Sequence, residues 1–285
     1  MSIWNWSTGC GKVTDPAKVH PVRHEGNNYR LNAIHLSEPS PQRTPVLYQA
    51  GTSPRGRQFA AQHAECVFMS GPSAKVIAPR VAAIRELAGK AGRNPAEILM
   101  FSMMTIILGR TEDEAKAKYA DYRSHISHEG ALTLMSGWTG VDFSTYELDQ
   151  QVRHVQNDAG RTAMDNITRA DPDRVWTVRE VAEHVGIGGI GPVVVGTPEK
   201  VADDIEAWFE QTDVDGLNVA FAISPGDFED IADMLVPELT RRGRYKGAYA
   251  DGTLREKLFG AGRATLTETH PASRYRVKPR AAAAE

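Results

Sequence analysis

Cysteine is scarce: Cys10 and Cys66 are the only two in 285 residues. A disulfide framework is thereby excluded, and neither cysteine has metal-ligand spacing or a neighbour that suggests a catalytic dyad, so both read as structural thiols and no metal is expected. Charge of one sign is also lacking, since 33 Lys and Arg against 36 Asp and Glu leave a net charge of -3. That balance argues against nucleic acid as a partner. The one basic cluster, Arg274, Arg276, Lys278 and Arg280, lies in a stretch ending Ala-Ala-Ala-Ala-Glu and reads as a solvated tail. Long apolar runs are missing too. None approaches the roughly 20 residues of a membrane span, and Met1 to Trp6 has neither a basic n-region nor an apolar h-region. The expectation is a cytoplasmic chain with no membrane partner. What is present is an ordinary globular composition, 41% hydrophobic.

The chain is organised around Pro45 to Arg57. Val46 to Gln49 reads as a buried strand, and Phe59, Ala60, Ala61 and Ala64 mark the apolar face of a helix that starts after Ser53. In the turn between them Gly51 allows a sharp bend, Ser53 is a preferred N-cap and Pro54 suits the first helical position. A helix start of this kind exposes backbone N–H groups and positive potential, so Gly51, Thr52, Ser53 and Gly56 could hold a phosphate, with Arg55 and Arg57 supplying charge nearby. The other reading is that Ser53 only caps a helix. The local residues leave both open.

The first forty-odd residues are rich in Gly, Pro, His and Asn, with a strand-like piece only at Tyr29 to Leu31, and Trp4 and Trp6 have no element to bury them. They look like the middle of something. After the opening unit, Glu65 to Met69 reads as a second strand, and Ser73 as the cap of a long amphipathic helix through Val76, Val81, Ile84 and Leu87. Ile98 to Leu108 is nearly continuous in apolar residues, as a strand covered on both faces should be. Thr111 and Glu114 read as a capping box, and strand and helix keep alternating, which points to parallel sheet.

Between about 130 and 175 the pattern weakens into an excursion from the sheet, where Asn166-Ile167-Thr168 spells a sequon of no consequence. Thr177 and Glu180 form a second capping box, for a short helix ending at Gly186. Gly186, Gly188 and Gly191 have dinucleotide-fingerprint spacing, but a helix precedes them and the strand-like Pro192 to Val195 follows, the reverse of what that motif needs. Thr197-Pro198-Glu199 repeats the cap logic ahead of Val201, Ile205 and Trp208. Gly216 to Ala222 is a fourth buried strand, and a last helix runs from about Asp227 to Gly243. An eight-stranded α/β barrel typically takes about 250 residues. Only four good parallel strands are found, at Val46, Cys66, Met100 and Gly216, with the shorter pieces read as insertions. The count suggests the second half of a barrel.

Four segments in this order, Asp15 to Gly26, Glu38 to Gly51, Gly196 to Glu199 with Asp215 to Asn218, and Val236 to Gly243, closely resemble the luciferase-like flavin monooxygenases, in particular the group of nitrilotriacetate, dibenzothiophene-sulfone and long-chain alkane monooxygenases. The resemblance runs from about Trp4 to about Leu258 and covers only the later part of the family's length. It implies a TIM-like (β/α)8 barrel, here truncated to its C-terminal strands and helices, with residues 1–270 as the partial barrel, the excursion inserted at about 130–175 and 271–285 as a disordered tail. It also implies reduced FMN delivered by an NAD(P)H:flavin reductase, insertion of one oxygen atom into a small organic substrate, and Gly51, Thr52, Ser53 and Gly56 as the FMN-phosphate loop. The family's ring-surrounding residues have no counterpart here, so no catalytic residue is assigned. His20 and His24 match an inserted hairpin and are read as structural. The alternative is a non-catalytic remnant or split subunit that associates with itself or with a complementing barrel half through open sheet edges.

Overall fold

The computed structural model describes residues 19–37, 39–155 and 161–276. The chain divides into two compact units, residues 47–249 with 269–274, and residues 1–46 with 250–268 and 275–285. Trp4, Trp6, Cys10 and the basic residues Lys278 and Arg280 lie outside the described residues.

The larger unit is built on five parallel strands: β3 (Tyr48–Ala50), β4 (Cys66–Met69), β5 (Leu99–Leu108), β6 (Val193–Gly196) and β7 (Gly216–Ala220). The ten-residue β5 is central. Phe101 and Ser102 are matched to β4 and also to β7, so these two flank β5 on opposite edges. Thr105 is likewise shared by β6 and β7, which places β6 on the edge that β4 has left. Helices connect the strands: α1 (Pro54–His63), α2 (Ala74–Lys90), α3 (Glu112–Ser124), α4 (His128–Thr139), α5 (Arg161–Thr168), α6 (Val178–Gly188) and α7 (Pro198–Thr212). After β7 come α8 (Gly226–Asp230), a π turn at Ile231–Leu235 and α9 (Val236–Arg241).

One face of the sheet is closed by helices. Met100, Met104, Ile106 and Leu108 of β5 pack with Ala60 and Ala61 of α1, Ile77, Val81 and Ile84 of α2, and Val201, Ile205 and Trp208 of α7. By register, the other face carries Tyr48, Phe68, Phe101, Met103 and Asn218, none of them fully buried. Tyr48 and Phe101 meet there with ring centroids 5.9 Å apart. A second core gathers Met135 of α4, Phe143, Met164 and Ile167 of α5, Trp176, and Val178, Val181 and Ala182 of α6.

The smaller unit holds an antiparallel hairpin of β1 (Pro21–Glu25) and β2 (Arg30–Ile34), with His24 opposite Leu31, and helix α10 (Leu254–Phe259). Buried Arg255 of α10 gathers the carbonyls of Gln42, Thr44, Pro45 and Ala264.

Several expectations need correction. The valines at 193–195 are not an insertion: three β-branched residues pair with the far half of β5 and make a fifth strand. The first strand begins at Tyr48, because the Leu47 N–H is taken by the Glu65 carboxylate at 3.0 Å. Ser73 makes no side-chain cap; its hydroxyl turns to Asp171 instead. Thr111 caps α3, but Glu114 reaches back to the Arg110 N–H, so the box is half formed. Helix α6 continues to Gly188. Among the described residues the sheet is open, with β3 and β7 each paired on one side only, and no barrel closes.

Candidate flavin-phosphate site

β3 ends at Ala50 and the chain turns through Gly51, whose φ of +104° is open to glycine at little cost. Ser53 is the N-cap of α1, and its Oγ accepts the Gly56 N–H at 3.1 Å. The helix ladder starts with the Arg57 N–H on the Ser53 carbonyl at 2.9 Å. Pro54 has no N–H, which leaves that of Arg55 as the first-turn donor without an acceptor inside the helix. The two readings of Ser53 are therefore compatible. An oxygen that accepts from Gly56 still has its own O–H to donate outward.

Gly56 is required by geometry. A Cβ there would lie 2.8 Å from the Gly51 carbonyl oxygen and 3.2 Å from Ser53 Oγ, so only glycine lets the turn close on the helix. Thr52 is 5% exposed, and its Oγ1 is buried with no hydrogen-bond partner. Arg57 Nε is buried without a partner as well. Buried polar atoms are normally satisfied, so this loop presents donors that await a group. A phosphate fits them: unmatched N–H and O–H donors, a helix N-terminus and adjacent guanidinium charge.

The structure thus brings Gly51, Thr52, Ser53, Gly56 and Arg57 into one turn at the C-terminal end of β3. Arg55 is exposed. His20 and His24 are exposed in and beside the β1–β2 hairpin of the smaller unit. Gly186 and Gly188 lie in α6 and serve packing, since a Cβ would meet Ile126 at 2.7 Å and Val193 at 2.6 Å respectively. Among the described residues no group of three or more His, Cys, Asp or Glu could hold a metal. Sequence reasoning passed over Arg80, on the apolar stripe of α2, and Asn166 of α5, both buried. The available signal was the charge itself, an arginine in register with Ile77, Val81 and Ile84.

A profile of the luciferase-like monooxygenases matches residues 6–216. The chain belongs to that family. As a luciferase-like monooxygenase it is 44% identical over 266 residues to the dimethyl-sulfide monooxygenase of Hyphomicrobium sulfonivorans, a match covering 93% of this chain and 55% of that protein. The crystal structure of the latter superposes with a TM-score of 0.81 at 43% identity, again over 93% of this chain and 56% of the other. The long-chain alkane monooxygenase of Geobacillus thermodenitrificans is 42% identical, over 92% of this chain and 56% of its own. A riboflavin lyase solved with modified FMN and riboflavin gives a TM-score of 0.83 at 33% identity, over 97% of this chain and 62% of that one. The chain thus spans about half the length of the curated relatives it matches. No helix among the described residues is long and apolar enough to cross a membrane.

Proposed function

We propose that the chain is the flavin-binding part of an FMNH2-dependent, two-component monooxygenase that works in the cytoplasm, receives reduced FMN from an NAD(P)H:flavin reductase and inserts one oxygen atom from O2 into a small organic substrate. The observation that carries the proposal is the loop from Gly51 to Gly56, whose unmatched donors suit a phosphate, in a chain of this family. Ser53 Oγ–H and the Arg55 N–H would hold the phosphate, and Thr52 would donate from beneath. Reduced flavin, when bound, supplies the activation of oxygen; the residues here anchor and orient it.

Oxygen transfer also needs a site shielded from water. The sheet face bearing Tyr48, Phe101 and Asn218 is only partly buried, and the edges of β3 and β7 are unpaired among the described residues. Full activity therefore calls for further strands, completing a TIM-like barrel from a complementing segment or partner. The same open edges favour a second reading, a non-catalytic subunit that associates through them.

Titration of the purified chain with oxidised and photoreduced FMN, followed by flavin fluorescence, tests the proposal. Saturable binding that weakens in Ser53→Ala is expected. Absence of binding by folded wild type would refute it and leave Ser53 as a helix cap. Size exclusion separates the readings further: a stable oligomer without flavin affinity supports the second.

A further inference from the structure

The last turn of a helix leaves carbonyls that the helix itself cannot satisfy. At the C-terminal end of α1, side chains from far along the chain take two of them. Arg93, just beyond α2, donates Nη1 to the carbonyl of Ala61 at 3.0 Å, and the ring Nε2 of His270 meets the carbonyl of His63 at 3.1 Å. Both side chains are buried, Arg93 at 7% exposure and His270 at 4%. His270 lies in a short strap, residues 269–274, that belongs to the larger unit.

The ring also shapes the strap. Its Nδ1 accepts the Ala272 N–H at 3.1 Å, while the His270 carbonyl accepts the Ser273 N–H at 2.9 Å, so His270 caps the 3-10 turn Pro271–Tyr275. These partners fix the tautomer. A ring nitrogen that accepts from an amide carries no hydrogen, and one that faces a carbonyl must carry it, so the imidazole is neutral with its proton on Nε2. A second proton has to go onto Nδ1, where it would point at the Ala272 N–H. Burial first, then the Arg93 guanidinium, disfavour that imidazolium, and His63 adds to the repulsion. Together they outweigh the His63 carbonyl and the Glu65 carboxylate, which favour it, and hold the ring below the usual histidine range.

We propose that His270 is a pH-operated latch: neutral, it holds residues 269–274 against the C-terminal end of α1, and a proton on Nδ1 releases them. A group that binds its proton less tightly when docked stabilises docking while neutral. The strap is therefore fully held above about pH 6.5, the ordinary histidine value, and loosens as the pH falls through the lower docked value. Release breaks the contacts to the His63 carbonyl and the Ala272 N–H together, and uncovers the end of α1 opposite the Gly51–Gly56 loop. The latch does not depend on what that loop binds.

Amide hydrogen exchange of the full chain, each rate divided by its intrinsic rate at the same pH, tests the latch. Between about pH 7.5 and about pH 5 the protection of the Ala272 and Ser273 amides should fall about tenfold in wild type, since one proton is taken up per opening, while that of β5 is kept. His270→Asn offers the Ala272 N–H a similar acceptor and cannot titrate, so its strap should show the same protection at both pH values, whatever the level. An NMR titration of the wild-type ring should find the Nε2–H tautomer at neutral pH and a midpoint below about 6.5. Unchanged strap protection in wild type, an equal fall in His270→Asn, or an equal fall in β5, which would mean that the whole unit opens, would each overturn the proposal. So would an Nδ1–H tautomer, or a midpoint at or above the ordinary histidine value.

Discussion

Lowering the pH should destabilise the helical core around α6 through a single histidine. His184 stacks edge-on against Trp176, with centroids 5.2 Å apart, and its Nε2 is buried without a partner. The Arg174 guanidinium lies 3.5 Å from the centre of the same Trp176 ring. Burial first, and then Arg174, push the imidazole down to about 4 from its ordinary 6.5. A base that holds its proton less tightly when folded stabilises the fold while neutral. That contribution is complete above about pH 6.5 and is lost as the pH falls towards 4. Between pH 7 and pH 5 the two values imply a loss of about 2 kcal/mol, rising to about 3 kcal/mol below pH 4. Urea unfolding followed by circular dichroism at both pH values, in wild type and His184→Leu, measures it. The leucine cannot titrate and suits the apolar surroundings, so its loss on acidification should be smaller by about 2 kcal/mol. Equal losses in the two proteins would refute the reasoning, as would an NMR titration placing the His184 midpoint near 6.5.

Other outcomes follow from the same contacts. Gly56→Ala should lower stability by about 1–3 kcal/mol, because its Cβ would press on a backbone carbonyl that cannot yield, and should weaken FMN further than the fold; melting curves and flavin titration check the two separately. Arg255→Met leaves four carbonyls without their shared donor and should cost at least about 2 kcal/mol in chemical denaturation. Arg242, held by Glu238 of α9, joins that helix to α7 through Asp203 and Glu206, so Arg242→Met should lower the urea midpoint, by less in about 1 M salt than at low salt. Arg241 and Arg242 hold the Glu238 carboxyl down to about 2, so the stability this carboxylate lends is present above the ordinary carboxylate range and is lost as the pH falls towards 2; Glu238→Gln should flatten that part of the acid-unfolding profile.

The loop was legible because its chemistry is local. Gly51, Ser53 and Pro54 each act within a residue or two of themselves, and the turn they specify formed as expected. β5 was legible for a similar reason, since ten apolar and small residues in succession suit few other structures. The Val193–Gly196 strand was legible as strand-like but not as a member of the sheet, because its partner, Thr105 to Leu108, is far away in the chain and a run of four residues does not say which strand it joins. Ser73 and Glu114 had the right spacing for caps, but each found a competing partner, Asp171 from the helical excursion for one and the Arg110 N–H for the other. Arg80 and Asn166 show the same limit at the end of β4. Both acquire meaning from the Ser70 carbonyl, which neither meets in sequence, and Asn166 was visible only as a glycosylation triplet that its burial makes irrelevant.

The placement of β5 bears on how the chain is made. Its first half can pair with β4 once Ser102 is available, but the partners of its remaining edges, β6 and β7, end at Gly196 and Ala220. At ribosomal speeds of about 5–20 residues per second, the interval from Leu108 to Ala220 is on the order of ten seconds. Throughout that time the most apolar segment of the chain carries unpaired backbone. A nascent chain in this state is a natural client for holding chaperones, and stalling translation between 110 and 190 should be far more damaging to yield than stalling it after 220.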